Sequence, residues 1–69
     1  MLSNRIKALM QLTNTKQVDI AQNLKTTQAY ISRLINNADT MRISDLKQIV
    51  ECSGGTLEIS IILPDGTKI

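Results

Sequence analysis

Gln28, Ser32 and Arg33 bring an amide, a hydroxyl and a guanidinium group close together in a 69-residue chain. On a helix they project to one side, because Ile31, Leu34 and Ile35 take the other at helical spacing. These three polar groups are the ones that hydrogen-bond to base edges in a DNA major groove. Chemistry of the bond-breaking kind has little to work with. The chain holds no histidine and one cysteine, Cys52, with no paired carboxylates at a workable spacing and no Gly-rich phosphate loop. The residue types therefore point to binding rather than to an enzyme, and they give no set of ligands for a metal or cofactor.

The elements that must position this polar face lie in residues 15–37. Val18, Ile20, Ala21 and Leu24 recur at helical spacing, which predicts a helix over residues 16–24 with Thr15 as its N-cap. Lys25-Thr26 is the turn. Thr27 then caps a second helix over residues 28–35. Ala21 has the small side chain that two steeply crossing helices need where their axes come close.

This stretch resembles the helix-turn-helix of the Cro/CI-type (XRE-like) transcriptional regulators. Gln17 and Ala21 carry the likeness in the first helix. Leu24, the turn, Thr27, Ile31-Ser32-Arg33-Leu34 and the Asn36-Asn37 pair continue it in register, and the similarity spans about residues 4–53. Three positions depart from the pattern. Lys25 stands where the turn usually has Gly, so a residue with a Cβ must adopt that backbone shape. Ile35 stands where Glu is common. Asn37 replaces a helix-ending Gly, and Asn is the next best left-handed cap.

The resemblance implies a mainly α fold: a four-helix, lambda-repressor-like helix-turn-helix domain over residues 1–53. The family usually continues with a fifth helix; residues 54–69, read from their own pattern as a separate C-terminal β arm, are the main departure from it. The resemblance also implies a sequence-specific DNA-binding regulator, a dimeric repressor, with the helix over 28–35 in the major groove. Gln28 then suits adenine, through bidentate bonds to N6 and N7. Ser32 and Arg33 are further base contacts, Arg33 to guanine or to a phosphate, and Ala29 meets a thymine methyl. Lys16, Gln17, Thr27, Tyr30, Asn36 and Arg42 are the backbone contacts. Tyr30, the one aromatic residue, either packs into the core or gives its hydroxyl to a phosphate. Thr27 caps a helix whether or not DNA is bound, and the Asn pair can serve only to end one.

Two more helices flank the pair. Leu2, Ile6, Leu9 and Met10 predict an amphipathic helix over residues 2–12, with Ser3 or Asn4 as cap. After a polar loop over 36–40, Ile43, Leu46, Ile49 and Val50 give the apolar face of a helix over 42–52, bounded by Thr40 and Gly54-Gly55. Cys52 reads as a small packing residue.

Charge is unevenly placed. Residues 1–50 hold seven Lys and Arg against three Asp, a net of +4, and residues 51–69 a net of −2. A basic head with an acidic tail fits a polyanion-binding surface, although +4 is ordinary for a helical domain. No apolar run is long enough for a membrane span and there is no signal sequence, so a cytoplasmic, reducing setting is expected.

After Gly55 the period changes from helical to two. Leu57, Ile59, Ile61 and Leu63 alternate with Thr56, Glu58, Ser60 and Ile62, which predicts a β-strand. Leu63-Pro64-Asp65-Gly66 is a turn, and Thr67-Lys68-Ile69 a short return strand. A lone hairpin is marginal in water, and its apolar edge invites pairing. The simplest resolution is a homodimer in which Leu57, Ile59, Ile61, Ile62 and Leu63 pair with the same arm of a second chain. The alternative folds the arm over its own helices. A different use of the strand is docking to a partner protein, as in antitoxins that bind both an operator and a toxin.

Overall fold

A computed structural model describes residues 2–69. Four α-helices follow one another: α1 (Leu2–Leu12), α2 (Gln17–Asn23), α3 (Gln28–Asn36) and α4 (Ile43–Cys52), with a 3-10 turn at Ala38–Thr40 between the last two. The helices form where the apolar spacing predicts them, to within a residue or two at most ends.

The core is built mainly from isoleucine. Ile20 of α2, Ile31 and Ile35 of α3, and Ile49 of α4 are fully buried. Ile6 and Met10 of α1, Ala21 and Ala38 complete the cluster, and Leu2, Leu24, Leu34, Met41, Leu46 and Cys52 pack around it. Buried Ala21 lies on α2, the helix against which α3 packs most closely. Ala38 falls within the loop expected to be polar. It is buried because the 3-10 turn folds the chain inward between α3 and α4.

Three of the four helices end in the same way. After α1 the Thr15 N–H donates to the Met10 carbonyl at 2.8 Å and the Asn14 N–H to Gln11 at 3.2 Å. After α2, Thr26 donates to Ala21 at 2.9 Å and Lys25 to Gln22 at 3.3 Å. After α4, Gly55 donates to Val50 and Gly54 to Glu51, each at 3.0 Å. Such paired bonds need a left-handed residue between helix and loop. Asn14 (φ 53°), Lys25 (φ 56°) and Gly54 (φ 81°) supply it. Lys25 thus adopts the shape that Gly usually takes.

The N-termini correct several expectations. Ser3 and Asn4 lie inside α1. Thr15 does not cap α2, because its hydroxyl is hydrogen-bonded to that of Thr13 at 2.8 Å. Lys16 takes the cap position, and its N–H donates to the Asp19 carboxylate at 3.0 Å. Thr40 is spent on the 3-10 turn, its hydroxyl donating to the Asn37 carbonyl at 3.0 Å. Arg42 is therefore the N-cap of α4. Ile43, placed on the apolar face, is 62% exposed, since the first turn of α4 leaves the core behind. Val18 is exposed as well. Asn37 has φ −114°, so it is not a left-handed cap; its side-chain amide donates to the Arg33 carbonyl at 2.9 Å instead.

The C-terminal arm departs most from expectation. The strand predicted over residues 56–63 is not formed, and no strand occurs among the described residues. One antiparallel bridge joins Ile62 to Lys68. Around it, Ile61 and Ile69 exchange N–H···O bonds of 3.1 and 2.9 Å, and the Leu63 N–H donates to the Thr67 carbonyl at 2.8 Å. A ladder is as long as its shorter strand. Among the described residues, 56–60 have no backbone hydrogen-bond partner beside them. The turn itself forms as expected. The Gly66 N–H donates to Leu63 at 2.9 Å, with Gly66 at φ 90°, and the Asp65 carboxylate accepts from the Thr67 N–H at 2.9 Å. That bond holds the Asp65 carboxyl below its ordinary value.

The chain measures 43 × 22 × 19 Å, with a radius of gyration of 13.3 Å. A compact chain of this length would have a radius near roughly 11 Å.

Candidate nucleic-acid interface

The candidate surface is built outward from α3. Thr27 starts the helix, its hydroxyl oxygen accepting from the Tyr30 N–H at 3.1 Å. Ile31 and Ile35 turn that helix against the core. The opposite side is then forced outward. Gln28, Ala29, Tyr30 and Arg33 are exposed, and Ser32 is half-buried beside them. Gln28 and Ser32 are four residues apart, as are Ala29 and Arg33, so the four make two adjoining rows on one face. Among the described residues, the side chains of Gln28, Ser32 and Arg33 make no hydrogen bond within the chain. Their donors and acceptors are open to an incoming partner.

Tyr30 resolves one of the alternatives left open by the sequence: its ring stands at the surface, not in the core. The Arg33 guanidinium lies 6.0 Å from the ring centroid. At that distance the attraction is weak and surface-exposed, about 0.5–1 kcal/mol at most. It draws the guanidinium toward the ring without fixing it.

The remaining expected residues fall into two groups. Lys16 and Gln17 sit together at the start of α2, Lys16 exposed and Gln17 half-buried in a shallow cleft with Lys7, Gln11 and Asn14. Asn36 and Arg42 flank the 3-10 turn at the other end of α3, both exposed. Two carboxylates bear on these groups. Asp19 accepts from the Lys16 N–H. Asp45 accepts from Arg42 Nε at 3.2 Å. The first is a helix-capping bond to backbone; the second is a side-chain ion pair, whose three-residue spacing could have signalled it. An exposed pair of this kind is worth about 0.2–1 kcal/mol, so Arg42 can leave Asp45 for a phosphate at small cost.

The expected arm contacts are placed differently. Leu57 is half-buried at the root of the arm, beside a groove lined by Leu2, Leu9, Leu46 and Val50 of α1 and α4. Ile59, Ile61 and Ile62 are 60%, 62% and 64% exposed, and Leu63 is at the surface too. The arm therefore does not lie over its own helices.

No family model, curated protein or solved structure matches this chain. The functional reading rests on its own residues. No described helix is long and apolar enough to cross a membrane.

Proposed function

We propose that the chain is a sequence-specific, DNA-binding transcriptional regulator that acts as a dimeric repressor. Double-stranded DNA receives α3 in its major groove, with Gln28, Ala29, Ser32 and Arg33 toward base edges. Lys16, Gln17, Thr27, Tyr30, Asn36 and Arg42 contact the sugar-phosphate backbone and set the register. The observation that carries this reading is the outward face of α3. Amide, hydroxyl and guanidinium groups are grouped on a helix that is capped at its start and anchored by two fully buried isoleucines. The +4 charge of residues 1–50 supports it, because a polyanion is drawn to that part of the chain.

A single such helix covers few base pairs, too few to select one site among many competitors. Two copies on a two-fold axis solve that problem with a palindromic operator. The exposed apolar arm is the feature suited to hold them, and this part of the proposal rests on Ile59, Ile61 and Ile62 being in water in the single chain. The same exposure favours a second role, docking to a partner protein such as a toxin by strand addition.

Electrophoretic mobility shift of the purified protein on the DNA upstream of its own coding sequence tests the first reading. Retarded DNA that resists random competitor is the expected result. Equal affinity for every duplex, or none, would remove it. Affinity capture from the source cells tests the second.

A further inference from the structure

The arm carries information about how a second copy would pair with it. We infer that two arms join antiparallel along their outer edges, centred on Ser60, so that Leu57 faces Leu63 of the second copy and Ile59 faces Ile61. This rests on the proposed arm-mediated dimer and adds the edge, the register and the residues that meet.

The edge follows from the hydrogen bonds already made. Ile61 and Leu63 direct their N–H groups to the return segment. Backbone groups alternate sides along an extended chain, so Ile62 directs its N–H and carbonyl the other way. Carried along an extended 58–62, the alternation gives Ser60 and Glu58 the same direction. Among the described residues the backbone groups of Glu58, Ser60 and Ile62 have no backbone partner. These three residues are the donors and acceptors of a free edge, and such an edge is a template for another strand.

The register follows from the side chains. Pairing is bounded on one side by Pro64, which has no N–H to give. On the other it is bounded by Gly55, whose N–H is committed to Val50. Between them lie eight residues, 56–63; centring on Ser60 aligns 57–63 with themselves and leaves only Thr56 opposite Pro64. Leu57 then meets Leu63 and Ile59 meets Ile61, so every position of the odd-numbered face pairs apolar with apolar. Ile69, beside Ile61 across the hairpin, widens that face. Centring on Ile59 instead sets Leu63 against Gly55, and centring on Ile61 sets Leu57 against Asp65. Centring on Glu58 opposes two like charges.

Charge agrees with the same choice. Lys68 is bridged to Ile62, and in this register Glu58 of the second copy lies on the other side of Ile62. Lys68, Ile62 and that Glu58 form one row on one face, the opposite charges two strand spacings apart, about 9–10 Å. Long side chains close that gap over the isoleucine. The match occurs twice by symmetry, which a second copy of this chain supplies and an unrelated strand does not. Leu63 of the second copy, opposite Leu57, also comes to the apolar groove between α1 and α4.

Cysteine cross-linking of the full chain decides the register. In a Cys52→Ser background, cysteine is introduced singly as Ile59→Cys, Ser60→Cys and Ile61→Cys. Disulfide dimers are followed in a glutathione buffer, with sedimentation velocity on each variant. Directly opposed residues have Cα atoms about 5.5 Å apart, within disulfide reach, whereas diagonal ones are about 7–8 Å apart. Ser60→Cys is expected to cross-link about tenfold faster than either neighbour. Fastest linkage at Ile59→Cys or Ile61→Cys overturns the register and leaves the arm dimer standing. A dimer by sedimentation with no linkage at any of the three overturns both. Monomers throughout overturn the dimer reading itself.

Discussion

The Thr26 N–H donates to the Ala21 carbonyl at 2.9 Å, and Lys25 between them is held at φ 56° to allow it. A Cβ in that region costs about 1–2 kcal/mol, of which Gly would save the steric part while adding freedom to the unfolded chain. Lys25→Gly should therefore stabilise the protein by about 0.5–1 kcal/mol, a rise of a few degrees in Tm at fixed protein concentration. Gly54→Ala gives the converse. At φ 81° a new Cβ meets nothing within 4 Å, so its loss of about 0.5–1 kcal/mol is the backbone strain less the freedom that Ala removes from the unfolded chain. Thermal unfolding followed by circular dichroism measures both, and a less stable Lys25→Gly protein would contradict the left-handed turn.

What the sequence made legible follows from how local each cause is. Thr27 was readable as a cap because its hydroxyl has a free N–H three residues on. Thr15 and Thr40 carry the same hydroxyl at plausible positions, but neighbouring oxygens claim them first. Ala38 was not readable as core, since three residues of 3-10 turn show no period. In the arm the alternation of apolar residues was plain, yet a strand requires a neighbour, and residues 56–60 have no backbone partner among the described residues. On α3 the outward polar face of Gln28, Ser32 and Arg33 was legible from the spacing of Ile31, Leu34 and Ile35. Less legible were Asp45, which pairs with the Arg42 guanidinium, and Asp19, which accepts from the Lys16 backbone N–H at the start of α2.

Base readout and backbone contact should separate cleanly on α3. Gln28→Ala removes an amide that makes no bond within the chain, so stability should barely change. Affinity for the cognate site should drop by about 1–3 kcal/mol, and affinity for random DNA by much less. Titration of both duplexes by fluorescence anisotropy tests this. An equal drop on both would make Gln28 a backbone contact only.

Salt dependence isolates the phosphate contacts. The logarithm of the binding constant should fall with that of salt concentration, the slope steepening by about 0.9 for each phosphate neutralised. Lys16→Ala and Arg42→Ala should each flatten it by about one and weaken all duplexes alike. Arg42→Ala also frees Asp45, whose uncompensated charge near α4's start adds to the loss. A slope near zero in the parent protein would count against DNA as the partner.

Acid should loosen the tip of the arm. The Thr67 N–H bond lowers the Asp65 carboxyl in the folded state below 3.8. A lowered value means the unfolded state binds the proton more readily. The stabilisation is thus complete above about pH 4–5, and it is lost as pH falls through the lowered value. Cross-hairpin NMR contacts between Ile62 and Lys68 should persist to mildly acid pH and fade below it, while Asp65→Ala should weaken them at neutral pH. Contacts that are indifferent to both changes would show that Pro64 and Gly66 suffice for the turn.

Removing the arm tests the link between assembly and recognition. The core residues Ile6, Met10, Ile20, Ile31, Ile35 and Ile49 all precede Gly54, so a chain ending at residue 55 keeps every fully buried side chain. It loses only the cover that Leu57 gives to the groove between α1 and α4. The truncated protein should therefore stay helical, with reduced stability, and sediment as a monomer. Its affinity for a palindrome with half-sites about 34–36 Å apart should collapse toward its non-specific level. Ile61→Pro should act in the same direction, because the Ile61 N–H donates to Ile69 at 3.1 Å and proline has none to offer. A truncated chain that still dimerises and still prefers the palindrome would move the dimer contact to the helices. The arm would then be left to the partner-protein role.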